Sequence, residues 1–317
     1  MSKYSPEFLT GMHREPMTLN FIKQAIKDRS MLEGLVIACS ESHELTIEIG
    51  RGIIGKIPFE EVEYHYDGSP IKEVSARSRV GKYIKFIALG VEKVGNTYIV
   101  KCSRREAQKE CHENFISKLE PGDIVPARLL RIEDYGIFCD IGCGIVALLP
   151  TNNISVTHIV NPKVILRDVK RLSVVIQSID ENYKIQLTHK ELLGTWEENI
   201  AKFHEDEIVH GAVISVEDYG VFVRLSQNLS GLSELPDGIK VEPGNMVAVK
   251  INHISPKNMK VKLLIMDRTM EDEPESLKFE YEKTSGHIDE WHYSTPTAKK
   301  QIDSVFRPVD KGGKQEG

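Results

Sequence analysis

Little in this 317-residue chain favours a membrane, a disulfide scaffold or a sheath for duplex DNA. No apolar run approaches the ~18 residues that a membrane-spanning helix needs. Residues 1–6 lack the basic and apolar regions of a secretory signal, so no leader is expected there. Five cysteines in a chain this long do not make a disulfide framework and suit a reducing cytoplasm. Positive charge is not in excess either. Forty-one Lys and Arg stand against 47 Asp and Glu, a formal net charge of -6. That balance argues against binding duplex DNA through bulk charge, although a groove needs only local positive potential. It also fits a crowded ribonucleoprotein surface, where excess positive charge would bind RNA without selection.

Signals of catalysis or of a bound cofactor are equally thin. Gly50, Gly55 and Lys56 imitate a phosphate-binding loop, but Ile57 stands where Ser or Thr would hold magnesium, and Pro58 follows. No long helix can begin there to face a phosphate. Cys139 and Cys143 have no second pair at zinc-ribbon spacing and read as buried thiols. His287 and His292, with Asp289 and Glu290 nearby, are an unsupported metal site. No nucleophile elbow or strained acid pair is present. The expectation is a protein that is not an enzyme and has no cofactor or metal.

What the chain does contain is a repeat. Glu133-Asp134-Tyr135-Gly136-Ile137-Phe138 returns about 84 positions later as Glu217-Asp218-Tyr219-Gly220-Val221-Phe222. A near-identical segment at domain spacing signals a duplicated folding unit. β-branched runs precede both copies, at residues 124–130 and 208–214. Residues 174–180 correspond downstream to 249–255, and each run is followed by a turn and a last strand, at 184–187 and 260–263. Five short strands with one long connection between the third and fourth predict a small Greek-key barrel. A weaker copy lies upstream, at residues 33–37, 47–50 and 98–102, and carries Ser42 and Leu45 at the positions of the aromatic pair.

The fold class that follows is mainly β: three tandem five-stranded OB-type barrels joined by short helices. Residues 1–17 form an N-terminal tail, 18–117 the first domain with a leading helix, 118–203 the second with a linker helix, and 204–267 the third. Residues 268–317 form an acidic linker, with Glu271, Asp272, Glu273 and Glu275, and a tail that ends in a disordered stretch at 311–317. That tail is too short for a separate domain and is expected to pack on the third barrel or bind a partner. A helix over residues 18–29 shows Phe21, Ile22, Ala25 and Ile26 on one side. Ser103 to Glu106 has capping-box form and leads a helix that turns Ala107, Cys111 and Phe115 inward. Thr188 to Glu191 repeats that form ahead of Leu192, Trp196, Ile200 and Phe203 at helical spacing.

Aromatics three apart on a regular strand point to opposite faces. A glycine between them permits a bulge or bend that brings both rings to one side. Two adjacent rings then offer stacking to successive bases of a single strand, about 1–3 kcal/mol each, with little regard to sequence. Core packing is the competing reading for one ring of each pair. The adjacent Tyr-Gly step and the basic last strand favour surface binding. Candidate RNA-binding residues are therefore Tyr135, Phe138 and Lys184 in the second unit, and Tyr219, Phe222, Lys260 and Lys262 in the third. Arg167, Lys170 and Arg171, with Lys163, are either a solvated face or a clamp on the nucleic-acid backbone.

These motifs resemble the S1 RNA-binding domain, the OB-fold repeat of bacterial ribosomal protein S1 and of several RNA-processing enzymes. Aromatic-Gly-x-Phe is matched by Tyr135-Gly136-Ile137-Phe138 and by Tyr219-Gly220-Val221-Phe222, and the hairpin Asp with a basic residue four later by Asp180 and Lys184. The third unit departs from it, with Ser255 in place of the acid and Lys260 one position late. The family's frequent histidine after the third strand is replaced by Pro150 and Glu234. The segment Gly52 to Pro58 is similar to the family's first domain, and Ala147 to Pro150 to its second. The resemblance covers residues 18–267. It implies a short three-repeat version or paralogue of ribosomal protein S1, bacterial and cytoplasmic. Messenger RNA would lie on the later units, and the small ribosomal subunit would be met through the first. Two alternatives stay open: a regulatory adaptor whose barrels dock proteins, and a subunit that delivers RNA to a processing complex.

Overall fold

The computed structural model describes residues 3–7, 16–159, 162–166, 169–235, 238–272, 279–281 and 283–307. They form three closed five-stranded barrels. The chain divides into two compact units. One is Met1–Leu119 with the short segments Asp140–Val146 and Asp180–Lys184; the other holds the remainder. No described helix is long and apolar enough to cross a membrane.

The first barrel comprises β1 (Met31–Cys39), β2 (Leu45–Gly50), β3 (Ile53–Ile57), β4 (Tyr83–Val94) and β5 (Thr97–Ser103), closed in the order β1-β2-β3-β5-β4. Gly50, Gly55 and Lys56 lie on the β2–β3 hairpin, so the apparent phosphate loop is two antiparallel strands. Inward alternation places Leu45, Ile47, Ile57, Ile84, Phe86 and Val100 in one core. Helix α1 (Leu19–Asp28) starts at Thr18, whose hydroxyl accepts from the Phe21 amide at 3.3 Å. It buries Ile22 and Ala25, whereas Phe21, expected on the same face, is 51% exposed. Helix α2 (Glu73–Arg77) lies in the long β3–β4 connection. Helix α3 (Arg104–Asn114) is capped by Ser103, whose hydroxyl accepts from the Glu106 amide at 2.8 Å, and buries Ala107 and Cys111. Phe115 at its end is only half-buried and stacks on Tyr4, with centroids 6.2 Å apart.

A buried ion pair organises this unit. The Arg104 guanidinium, fully buried, donates to both oxygens of Glu7 at 2.9 and 3.1 Å. The Lys85 amide donates to Glu7 Oε1 at 3.1 Å, and the Glu7 amide donates to Asp140 Oδ2 at 2.7 Å. Burial alone pushes the Glu7 carboxyl upward, but the charge and hydrogen bonds of Arg104 outweigh it and hold the group below the usual carboxylate range. A depressed folded-state value stabilises above the unfolded value and loses that stability as pH falls through the folded one. Glu7→Gln, which removes the carboxylate that Arg104 grips with two hydrogen bonds, is therefore expected to destabilise this unit by about 3 kcal/mol at neutral pH. The deficit should shrink below about pH 4.5, where the carboxyl first takes up a proton in the unfolded chain and, at lower pH still, in the folded one, as read by denaturant titration across pH.

The second barrel is built from β6 (Asp123–Glu133), β7 (Gly136–Gly142), β8 (Ile145–Pro150), β9 (Arg171–Ile179) and β10 (Ile185–Thr188), closed by β6 against β9. Helix α4 (Pro162–Ile165) sits in its long connection. The linker beyond β10 is not the single helix that its spacing suggests. A 3-10 turn over Lys190–Leu193 ends at Gly194, whose φ of 79° no helix continues. Helix α5 (Trp196–Ile200) then begins afresh with the capping box formed by Thr195 and Glu198, while the Thr188 hydroxyl bonds the Glu191 carboxylate at 2.6 Å. The third barrel, β11 (Ile208–Glu217), β12 (Gly220–Ser226), β13 (Leu229–Ser233), β14 (Asn245–Ser255) and β15 (Lys260–Asp272), repeats the closed order.

The C-terminal segment packs on both barrels of its unit. Strand β16 (Gly286–His287) adds to β6, while β17 (Glu290–His292) pairs with β18 (Asp303–Val305). Trp291 and Tyr293 enter the third-barrel core beside Trp196, and the Tyr293 hydroxyl donates to the Asn228 carbonyl at 2.6 Å. Phe306 packs with Ile124, Val175 and Leu192 of the second barrel and its linker. Glu271 and Asp272 continue β15, whereas the rest of the acidic linker and residues 311–317 lie outside the described residues. Trp291→Ala should cost about 3 kcal/mol of stability, because the large buried ring leaves a cavity between segments. Thermal unfolding followed by tryptophan fluorescence and circular dichroism checks it.

Candidate nucleic-acid interface

The duplicated hexapeptide forms the first hairpin of the second and third barrels. In the third, Glu217 pairs with Gly220, so Asp218 and Tyr219 are the turn itself. The tyrosine therefore leaves the strand at the corner, and Phe222 follows as the first outward residue of β12. Both rings reach the same side by this route, and not through a glycine bulge between two strand positions. The bulge lies instead on the partner strand, between Val213 and Ser215. Gly220 adopts φ 149°, and a Cβ there would collide with the Ser233 carbonyl; at Gly136 it would come within 2.7 Å of the Leu149 carbonyl. Only glycine lets the hairpin press this closely on the third strand.

The two platforms are near copies. The Tyr135 and Phe138 centroids lie 6.2 Å apart at 88°, and those of Tyr219 and Phe222 lie 6.2 Å apart at 87°. Each tyrosine is largely exposed, 60% and 67%, while Phe138 and Phe222 are half-buried. Neither ring is a core residue. In the third barrel Tyr219, Phe222, Lys260 and Lys262 line one open groove of about 610 Å³, with Leu232 and Glu234 also on its wall. A cross-strand row runs from Phe222 to Leu232 and on to Lys262. The Lys262 ammonium sits 3.0 Å from the Glu234 carboxylate.

In the second barrel Gln186 pairs with Leu148, so it takes the place of Lys262. Lys184 precedes β10 and is exposed, in a turn where the Asp180 carboxylate accepts from the amides of Asn182 and Lys184 at 2.9 and 2.7 Å. Sequence reading missed Arg131, whose guanidinium lies 4.8 Å from the Phe138 centroid and bonds Glu133 at 3.0 Å. Hairpin register could have found it, since Ser215 faces Phe222 at the matching site of the third barrel. Of the basic run, Lys163 is held by Asp134 at 3.0 Å, and that hydrogen bond raises its pKa. Lys170 and Arg171 are exposed at the start of β9, and Arg167 lies outside the described residues.

The first barrel departs from the platform at positions one removed from those expected. Its hairpin holds three residues, Glu41, Ser42 and His43, between Ser40 and Glu44, where the third barrel has two. His43 and Thr46 therefore take the places of Tyr219 and Phe222, and Ser42 and Leu45 do not. His43 packs on Phe59 at 5.4 Å and meets Arg77 at 3.1 Å and Glu73 at 3.3 Å. The Lys56 ammonium donates to Glu44 at 2.8 Å and to Thr46 at 3.0 Å. Among the described residues no group of three or more His, Cys, Asp or Glu could hold a metal ion. His287 and His292 each pair with carboxylates, at 2.8 Å to Asp123 and 3.0 Å to Asp303.

Residues 118–190 match the model of the S1 RNA binding domain. The middle barrel carries an S1 RNA-binding domain. Closed barrels stand before and after it, an arrangement consistent with an S1-type tandem protein. The small ribosomal subunit protein bS1 of Staphylococcus aureus (strain COL) is 30% identical over 176 residues, 52% of this chain and 45% of that protein. The bS1 protein of Staphylococcus haemolyticus (strain JCSC1435) is 29% identical over 163 residues, 48% and 41% of the two chains. This chain thus spans less than half the length of these relatives. A solved multidomain protein with nucleic acid binding domains from Streptococcus pneumoniae aligns over 77% of this chain and 75% of its own, at 16% identity and a TM-score of 0.25.

Gly220→Ala tests what this hairpin of the third barrel requires. Forcing a Cβ into the left-handed region against Ser233 should cost on the order of 2 kcal/mol, read by thermal denaturation. Ser42→Ala, which removes a hydrogen bond to the Ser40 hydroxyl at an exposed position of the first hairpin, should be neutral within about 0.5 kcal/mol.

Proposed function

We propose that this protein is a non-catalytic, cytoplasmic binder of single-stranded RNA. It holds messenger RNA on its second and third barrels during translation and meets the small ribosomal subunit through its first domain. The observation that carries the reading is the doubled platform: two tyrosine–phenylalanine pairs at the same spacing and angle, each tyrosine exposed, in separate barrels. Exposed rings on an OB-type hairpin have no packing role that would keep them aromatic, whereas unpaired bases stack on them. Arg131 beside one platform and Lys260 beside the other supply cations for a phosphate backbone without making the whole chain basic. The ribosomal part of the reading is supported by the relatives, which are small ribosomal subunit proteins.

The first barrel supports a different duty for its own face. Its hairpin position is closed by the His43, Phe59, Arg77 and Glu73 contacts, which leave no free ring for a base. Such a polar, self-paired surface suits protein contact better than stacking.

Replacing Tyr135, Phe138, Tyr219 and Phe222 together by Ala should weaken binding of a single-stranded RNA oligomer about a hundredfold or more. Circular dichroism should stay unchanged, because the tyrosines lie outside the cores. Unaltered affinity in the folded variant would remove the platform. Loss of co-sedimentation with small ribosomal subunits on changing the first barrel, with RNA affinity intact, is the expected outcome for the docking role.

A further inference from the structure

We propose that the third barrel selects guanine, through Glu234 and Lys262 at the rim of its stacking groove; this rests on the RNA-binding reading above. The second and third barrels carry the same ring pair, yet the third has two charged groups that the second lacks. Glu234 occupies the place of Pro150, directly after the third strand, and Lys262 occupies the place of Gln186. The carboxylate and the ammonium are 3.0 Å apart and line the same groove as Tyr219 and Phe222.

The backbone from which they project is fixed. Gly220, next to Tyr219, packs against the Ser233 carbonyl, which leads directly into Glu234. The Ser233 hydroxyl donates to the Glu234 carbonyl at 2.9 Å and accepts from the Ile265 amide at 3.2 Å, tying this corner to β15. Lys262 projects from β15 opposite Leu232. A base stacked on the platform thus presents its edge toward an acceptor and a donor held side by side.

Guanine alone among the four bases presents two adjacent N–H donors, N1–H and N2–H, beside a carbonyl acceptor, O6. A carboxylate takes the two donors together while the ammonium takes O6, so both charges keep a partner when the base enters. Adenine and cytosine each offer one amine beside an acceptor nitrogen, and uracil offers one N–H between two carbonyl acceptors, so none of them gives the carboxylate two adjacent N–H groups. An exposed lysine–glutamate pair contributes little to stability, so its reorganisation around a base edge costs little. The second barrel, with Pro150 and Gln186, has no such pair and stacks any base.

The test is fluorescence anisotropy of the full chain with uridine oligomers of one length, carrying a single central guanosine, inosine, adenosine or uridine. The guanosine oligomer is expected to bind about tenfold more tightly than the uridine one, with inosine, which lacks the N2 amine, well below guanosine. Glu234→Gln should abolish that preference, the guanosine oligomer falling to the affinity of the uridine one. Tyr135→Ala with Phe138→Ala should keep the preference as overall affinity falls. Equal affinity for all four oligomers, or a preference that survives Glu234→Gln, would overturn the guanine assignment and leave the platform standing. Absence of binding to every oligomer would instead overturn the RNA-binding reading itself.

Discussion

Everything proposed for this chain depends on one close backbone approach. At Gly220 the first hairpin presses onto the third strand so tightly that a methyl group has no room against the Ser233 carbonyl. The turn must then be made by Asp218 and Tyr219, and the tyrosine is carried off the strand to stand beside Phe222. Gly136 repeats the constraint with Tyr135 and Phe138. Nothing in the sheet core requires the exposed rings, so the same steric condition that shapes the corner also creates a surface suited to flat ligands.

The barrels hold that corner in place at different cost. In the unit with the second and third barrels, the C-terminal segment contributes Trp291, Tyr293 and Phe306 to the cores, and strand β16 lengthens the second sheet. This segment is structural, although its composition alone reads as a tail. In the other unit a buried Glu7–Arg104 pair satisfies a charge that would be costly in isolation. Buried polar groups of this kind tie distant stretches of chain together in one specific arrangement, which a purely apolar contact would do less selectively.

Much of this was legible in the sequence. β-branched runs separated by turn residues mark most strands of the second and third barrels closely enough to give the fold, because the repeat supplies two views of the same unit; in the first barrel the runs at 33–37, 47–50 and 98–102 mark β1, β2 and β5, while β4 (Tyr83–Val94) went unread. The aromatic pair and the two lysines of the third barrel also fall together as their spacing implies. What escaped has local causes. One extra residue in the first hairpin shifts its register, so His43 and Thr46, not Ser42 and Leu45, stand at the platform position. Gly194 breaks a helical pattern that apolar spacing alone carries through. Arg131 sits across a strand pair from Phe138, a neighbour only once register is known.

Photocrosslinking of the full chain to a single-stranded RNA, with the adducts mapped by mass spectrometry, tests the central claim most directly. Adducts are expected in the hairpins that carry Tyr135 and Phe138 and Tyr219 and Phe222, and none in the hairpin that carries His43 and Thr46. Adducts confined to the first barrel, or bound RNA that labels neither aromatic hairpin, would contradict it.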